Sequence, residues 1–247
     1  MNKFQIVIDD IILNYYKNDW NSDFVILFLH WWGRDWLDWQ QYFERLKSDW
    51  ISFISIDFPG FGYSTMPNST WWVEEYSKLV YDFLKKIGNT KKIACVWHSF
   101  GGRIAFFLAS KYQNLFIKLI LIAPWWVENV NSGIKKVMTG IAKKIFTLPW
   151  LNKFWNYIKN KIWSSDYKSA WKMRDVFIKV INQDLRTVFS NIKTPTIIYR
   201  WNEDDQILRW QIDVMKKTIP NVKINKYENI WHDLHKEKIE DILLEFK

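Results

Sequence analysis

An apolar strand, Ile93–Val96, runs straight into Trp97-His98-Ser99-Phe100-Gly101-Gly102, and a helical pattern follows through Arg103–Tyr112. A serine at such a strand-to-helix turn sits in strained backbone that lifts its hydroxyl above a sheet. The positions two residues to either side call for tiny residues, because a Cβ there would collide with neighbouring backbone. Gly101 meets that requirement and Trp97 does not. The helix N-terminus beyond offers N–H groups and a dipole to a developing negative charge. Ser99 is thus the candidate nucleophile, and its hydroxyl needs a base beside it. A helix-capping serine would explain the placement, but not the flanking His98 and the glycine pair.

The rest of the chain repeats the same beat. Phe24–His30, Ile51–Phe58, Lys92–Trp97 and Ile117–Ala123 read as short apolar strands, and Val73–Ile87 carries apolar residues at helical spacing. Strands alternating with helices predict a mostly parallel central sheet flanked by helices, the α/β class. Between 125 and 192 the rhythm stops, and the chain is lysine- and aromatic-rich with a helical pattern. It resumes at Pro195–Arg200, Val222–Tyr227 and a final helix from Leu234. The expected organisation is one core, 1–124 with 193–247, carrying an inserted helical cap, 125–192.

Four further motifs lie in register with the serine. They are His30-Trp31-Trp32-Gly33 after a strand, Asp57-Phe58-Pro59-Gly60-Phe61-Gly62-Tyr63-Ser64, Trp201-Asn202-Glu203-Asp204, and Asn229-Ile230-Trp231-His232. Together with the serine turn they resemble the α/β-hydrolase fold family across nearly the whole chain, in the chain order Ser, Asp, His. The resemblance implies a serine hydrolase with a Ser99–Asp204–His232 triad and an oxyanion hole from the backbone N–H groups of Trp32 and Phe100. It implies a helical cap and no metal or organic cofactor. Asp205 takes the place of Asp204 if Asn202 stands in the motif's glycine position. His235 and His98 compete with His232 for the role of base; His98 reads as structural. Asp57 and Arg103 read as bracing residues, Arg34 as a solvated arginine near the oxyanion loop, and Cys95 as a small buried apolar residue.

Against the family pattern, the departures run one way: tryptophan stands where glycine is expected, at Trp31, Trp97, Trp201 and Trp231. The chain holds 18 Trp and 8 Gly, where glycine ordinarily makes up about 7% of residues. Trp20, Trp36, Trp50, Trp72, Trp126, Trp163 and Trp171 also sit where a turn glycine would be natural. A reading of UGA as tryptophan in a gene whose own cells decode it as glycine would produce this pattern. The rival account is a real chain that kept the fold and lost the chemistry.

Composition narrows the partners. The net charge of +9 comes mainly from lysine spread among acidic residues, without a basic helix or nucleic-acid motif. A single cysteine excludes a disulfide framework and a cysteine-based zinc site. The start of the chain, Phe4–Ile12, alternates like a strand rather than a leader, and no apolar run approaches the ~20 residues that span a bilayer. The expectation is a cytoplasmic protein acting on a small-molecule ester or related acyl bond, with no nucleic-acid or membrane partner. Carbon–carbon bond hydrolysis of ring-cleavage-type diketones and a catalytically dead binding protein are the alternatives. Trp150, Phe154 and Tyr157, with Trp155 beside them, would pack the cap on the core or line an apolar pocket.

Overall fold

The computed structural model describes residues 2–124, 171–201, 209–228 and 234–246. Eight strands form one sheet in the order β1-β2-β4-β3-β5-β6-β7-β8. The strands are β1 Asn2–Ile8, β2 Ile11–Asn18, β3 Phe24–Leu29, β4 Ser52–Ile56, β5 Lys92–His98, β6 Phe116–Ile122, β7 Thr196–Trp201 and β8 Val222–Tyr227. The β1–β2 and β2–β4 pairs are antiparallel, and every pair from β4 through β8 is parallel. The expected mostly parallel sheet is what the chain forms.

Helices α1 Gln40–Ser48, α2 Val73–Lys86, α3 Phe100–Lys111, α4 Arg174–Asn182, α5 Arg186–Phe189, α6 Arg209–Thr218, α7 Leu234–Glu237 and α8 Ile239–Leu243 connect the strands among the described residues. Helix α2 buries Tyr76, Leu79, Val80, Phe83 and Leu84, the stripe that its spacing predicts. Strand β5 is buried from Ile93 through His98, as a central strand covered on both faces must be. Cys95 lies in it, wholly buried, and burial pushes its thiol well above the ordinary range.

One expectation changes at the N-terminus. The alternation through Phe4–Ile12 reads as one strand, yet the chain reverses at Asp9, whose φ is +50°, and two antiparallel strands result. Aspartate tolerates that left-handed backbone better than most residues. Parallel pairing puts the ends of β3, β5, β6, β7 and β8 along one edge, where Leu29 faces Trp97 and Trp97 faces Leu121. Loops at that edge are where open α/β sheets hold ligands. Of the expected insertion, 125–170 lies outside the described residues. Its second part packs on the core: Phe177 meets the Trp32 ring at 4.8 Å.

Candidate active site

Ser99 sits between β5 and α3 with φ +46° and ψ −105°, a conformation that a non-glycine residue adopts only under constraint. Its N–H donates to the Ile122 carbonyl (3.2 Å), and its carbonyl accepts from the Gly102 N–H (2.9 Å). The turn is thereby tied to both the neighbouring strand and its own helix. Gly101 is required by space: a Cβ there would lie 2.6 Å from the Leu29 carbonyl oxygen and 2.9 Å from that of His30. Only glycine lets α3 start this close to the end of β3.

Trp97 lies fully buried on β5, and Gly102 makes room for it: a Cβ on Gly102 would fall 2.5 Å from the indole nitrogen. That indole N–H has no hydrogen-bond partner among the described residues, a cost of about 1–3 kcal/mol for a buried donor. The turn therefore accommodates the tryptophan, at the expense of an unsatisfied donor.

The loop expected to hold the oxyanion follows β3 and meets the serine turn. The rings of Trp32 and Phe100 stand edge to face with centroids 5.0 Å apart. His30 behind them is fixed as one tautomer. Its Nδ1 is 2.7 Å from the Trp31 carbonyl oxygen, which can only accept, so Nδ1 carries the proton. Its Nε2 accepts from the Phe58 N–H at 2.9 Å. Burial lowers the pKa of this imidazole, only partly opposed by the Trp31 carbonyl and the Asp57 charge, so His30 is a neutral strut between two loops.

Asp57 accepts from Asn14 Nδ2 at 2.7 Å, from the Trp36 N–H at 2.9 Å and from the Tyr63 N–H at 3.2 Å. Burial raises its pKa; those N–H groups and His30 oppose the rise. Every contact is internal, the bracing role expected of it. Arg103 is likewise buried and donates from Nη2 to the Gln183 carbonyl, tying the serine helix to the segment after α4. Arg34 is exposed and stacks over Trp31 at 5.1 Å.

Asp204, Asp205 and His232 lie outside the described residues, as do Trp231 and the aromatics Trp150, Phe154, Trp155 and Tyr157. The strands leading to them, β7 and β8, end at the same sheet edge as β5. The two competing histidines are described. His98 and His235 are both fully buried, with ring centroids 4.5 Å apart, and the Trp31 ring meets His98 edge to face at 4.8 Å. Asp38 completes this cluster with Oδ1 3.7 Å from His235 Nε2. Asp38 carries no local motif, and only the folded chain brings it to residues 60 and 197 positions away.

Matches to known proteins bear on the family and the fold. The family described as alpha/beta hydrolase fold matches residues 25–162. The abhydrolase domain-containing protein abhd-5.2 of Caenorhabditis elegans is 29% identical over 128 residues, covering 51% of this chain and 29% of that protein. A Mycoplasma pneumoniae protein named as an esterase/lipase is 31% identical over 100 residues, covering 40% of this chain and 37% of its own length. The matched stretches thus span about a third of these relatives. Among solved structures, MGS-M2, an alpha/beta hydrolase enzyme from a deep-sea metagenome library, superposes with a TM-score of 0.74 at 18% identity, over 97% of this chain and 94% of that one.

Proposed function

This chain belongs to the α/β-hydrolase fold family, and from that premise we propose that it is a serine hydrolase cleaving a small-molecule ester or related acyl bond. The observation that carries the reading is the Ser99 backbone at φ +46° on the junction of β5 and α3. A strained serine there is what nucleophilic attack at the sheet edge needs. The esterase/lipase name of the Mycoplasma relative supports the substrate class.

In this mechanism Ser99 attacks the carbonyl carbon while His232 takes its proton, and Asp204 orients the imidazole and stabilises its charged form. The backbone N–H groups of Trp32 and Phe100 receive the oxyanion. Collapse of the tetrahedral species expels the alcohol, protonated by His232, and leaves the acyl group on Ser99. Water activated by His232 then releases the acid. Serine at this position argues against epoxide opening and dehalogenation, which in this family use an aspartate nucleophile.

The test is covalent labelling by a fluorophosphonate, on protein translated with the decoding of its own cells. Labelling that disappears in Ser99→Ala supports the reading. No labelling of the parent overturns it in favour of a binding protein on the same fold, and labelling that survives the substitution overturns it by placing the nucleophile on another residue.

A further inference from the structure

We propose that His235 is a positioning residue: packed between the segment 38–42 and His98, it fixes the turn on which Ser99 stands; this rests on the serine-hydrolase reading above. His235 is held through its backbone carbonyl and the faces of its ring, with a carboxylate near its edge. Its imidazole Nε2 lies 3.7 Å from Asp38 Oδ1. Its carbonyl accepts from the Tyr42 hydroxyl. Its ring packs on Trp39 with centroids 5.4 Å apart, and on His98, the residue before Ser99, at 4.5 Å.

Three of these partners come from one stretch of chain, and the stretch begins six residues after Trp32. Asp57 pins that stretch again through the Trp36 N–H. One buried cluster therefore joins the oxyanion loop, the serine turn and the start of α7. A shift at any of the three is transmitted to the others, and a misplacement of about 1 Å can cost a hundredfold in rate.

Two other roles for the cluster fit less well. His235 has no exposed surface, so its ring cannot meet a substrate in this arrangement, and it is not the base. The donor atoms of Asp38, His98 and His235 all lie within 4.8 Å of one another, a set that could suit zinc. The Asp38 carboxylate, however, already faces the Lys236 ammonium at 3.8 Å. Burial would raise its pKa, but His235, Lys236 and Arg34 together hold it below the ordinary carboxylate range. A divalent cation would enter a neighbourhood whose one carboxylate is already compensated.

The experiment is stopped-flow labelling of Ser99 by the fluorophosphonate, resolving probe affinity from the rate of bond formation, with the thermal midpoint measured alongside. His235→Ala is expected to slow bond formation roughly ten- to a hundredfold while probe affinity stays unchanged. His235→Gln, which keeps a planar polar side chain beside Asp38, restores most of the rate. Tyr42→Phe removes only the hydroxyl on the His235 carbonyl and lowers the rate with little change in midpoint. In the double variant Asp38→Asn with His235→Ala, the losses do not add.

Bond formation at the parental rate in His235→Ala and Tyr42→Phe, whatever the midpoint does, overturns the proposal. So does a change confined to probe affinity. Stoichiometric zinc in the parent, with labelling lost on chelation, overturns it in favour of a metal site. Failure of the parent to label defeats the hydrolase reading itself and takes the proposal with it.

Discussion

Trp50 and Gly88 occupy the same position in the same kind of turn. After α1 the Ile51 N–H donates to the Leu46 carbonyl and the Trp50 N–H to that of Lys47; after α2 the Asn89 N–H donates to Leu84 and the Gly88 N–H to Lys85. This paired pattern closes a helix on a left-handed residue, usually glycine. Gly88 has φ +70°, and Trp50 has φ +56° with two-thirds of its surface exposed (65%). A left-handed non-glycine residue costs roughly 1–2 kcal/mol, and an exposed indole returns little of it. Trp50→Gly should therefore raise stability by about 1 kcal/mol in urea denaturation. Trp97→Gly sets the two origins of the tryptophans against each other. If Trp97 is an ordinary core residue, its removal costs about 3–5 kcal/mol. If position 97 belongs to glycine, the loss is far smaller and fluorophosphonate labelling of Ser99 rises. The gene supplies the direct check: UGG codons at 31, 97, 201 and 231 overturn the decoding account. Among the other described candidates, Trp20, Trp31, Trp36 and Trp72 do not adopt positive φ, so the need for a left-handed residue is met at Trp50 alone of these.

At the scale of elements, loops are held by buried carboxylates whose titration has opposite signs. Asp38 has its pKa lowered in the folded chain. Its stabilisation is therefore full above the unfolded aspartate value of about 3.9 and is lost as pH falls through the folded value. Asp57 has its pKa raised, so it favours folding below that unfolded value and loses the contribution as pH rises through the folded one. The parent alone mixes the two, and Asp38→Asn separates them. The variant should be less stable by about 3 kcal/mol near pH 6, and its thermal midpoint should converge on the parent's toward pH 3. Parallel curves would show that Asp38 is not charged in the folded protein. The sequence made some of these elements legible and hid others for a physical reason. The serine turn, the Asp57 loop and the parallel strands are local signals, written in adjacent residues or in short periodicity. The Asp38–His98–His235 cluster is assembled across the fold from residues with no common motif. Helix α1 went unread because its apolar residues Tyr42, Phe43 and Leu46 span barely one turn. The β1–β2 reversal stayed hidden because Asp9-Asp10 holds no glycine, the residue that ordinarily marks so tight a hairpin turn.

For the whole molecule, the N-terminal hairpin is more than an edge. Strand β4 is buried at every residue, Ser52–Ile56, and β2 is what covers its outer backbone, with Tyr15 opposite Ile56. The same strand reaches the loops at the edge that carries Ser99. The Asn14 N–H donates to Ser64 Oγ at 2.8 Å, its carbonyl accepts from the Asp57 N–H at 2.9 Å, and its amide holds the Asp57 carboxylate. Tyr16 stacks on Trp36 with centroids 4.0 Å apart, and Trp36 belongs to the segment that leads to Asp38. Strand β1 reaches less deeply: its residues are mostly exposed or half-exposed, it pairs with β2 alone, and its Lys3 lies over the exposed Tyr63 ring at 3.3 Å. Deleting residues 2–8 should therefore leave a monodisperse protein that still labels at Ser99, because β2 continues to shield β4. Deleting residues 2–18 opens the apolar β4 as an unpaired edge, which invites intermolecular pairing, and removes the partners of Asp57 and Trp36. That chain should aggregate in size-exclusion chromatography, and any monomer recovered should label at Ser99 far more slowly. Equal behaviour of the two truncations would mean that the loops around Ser99 hold their shape without the hairpin.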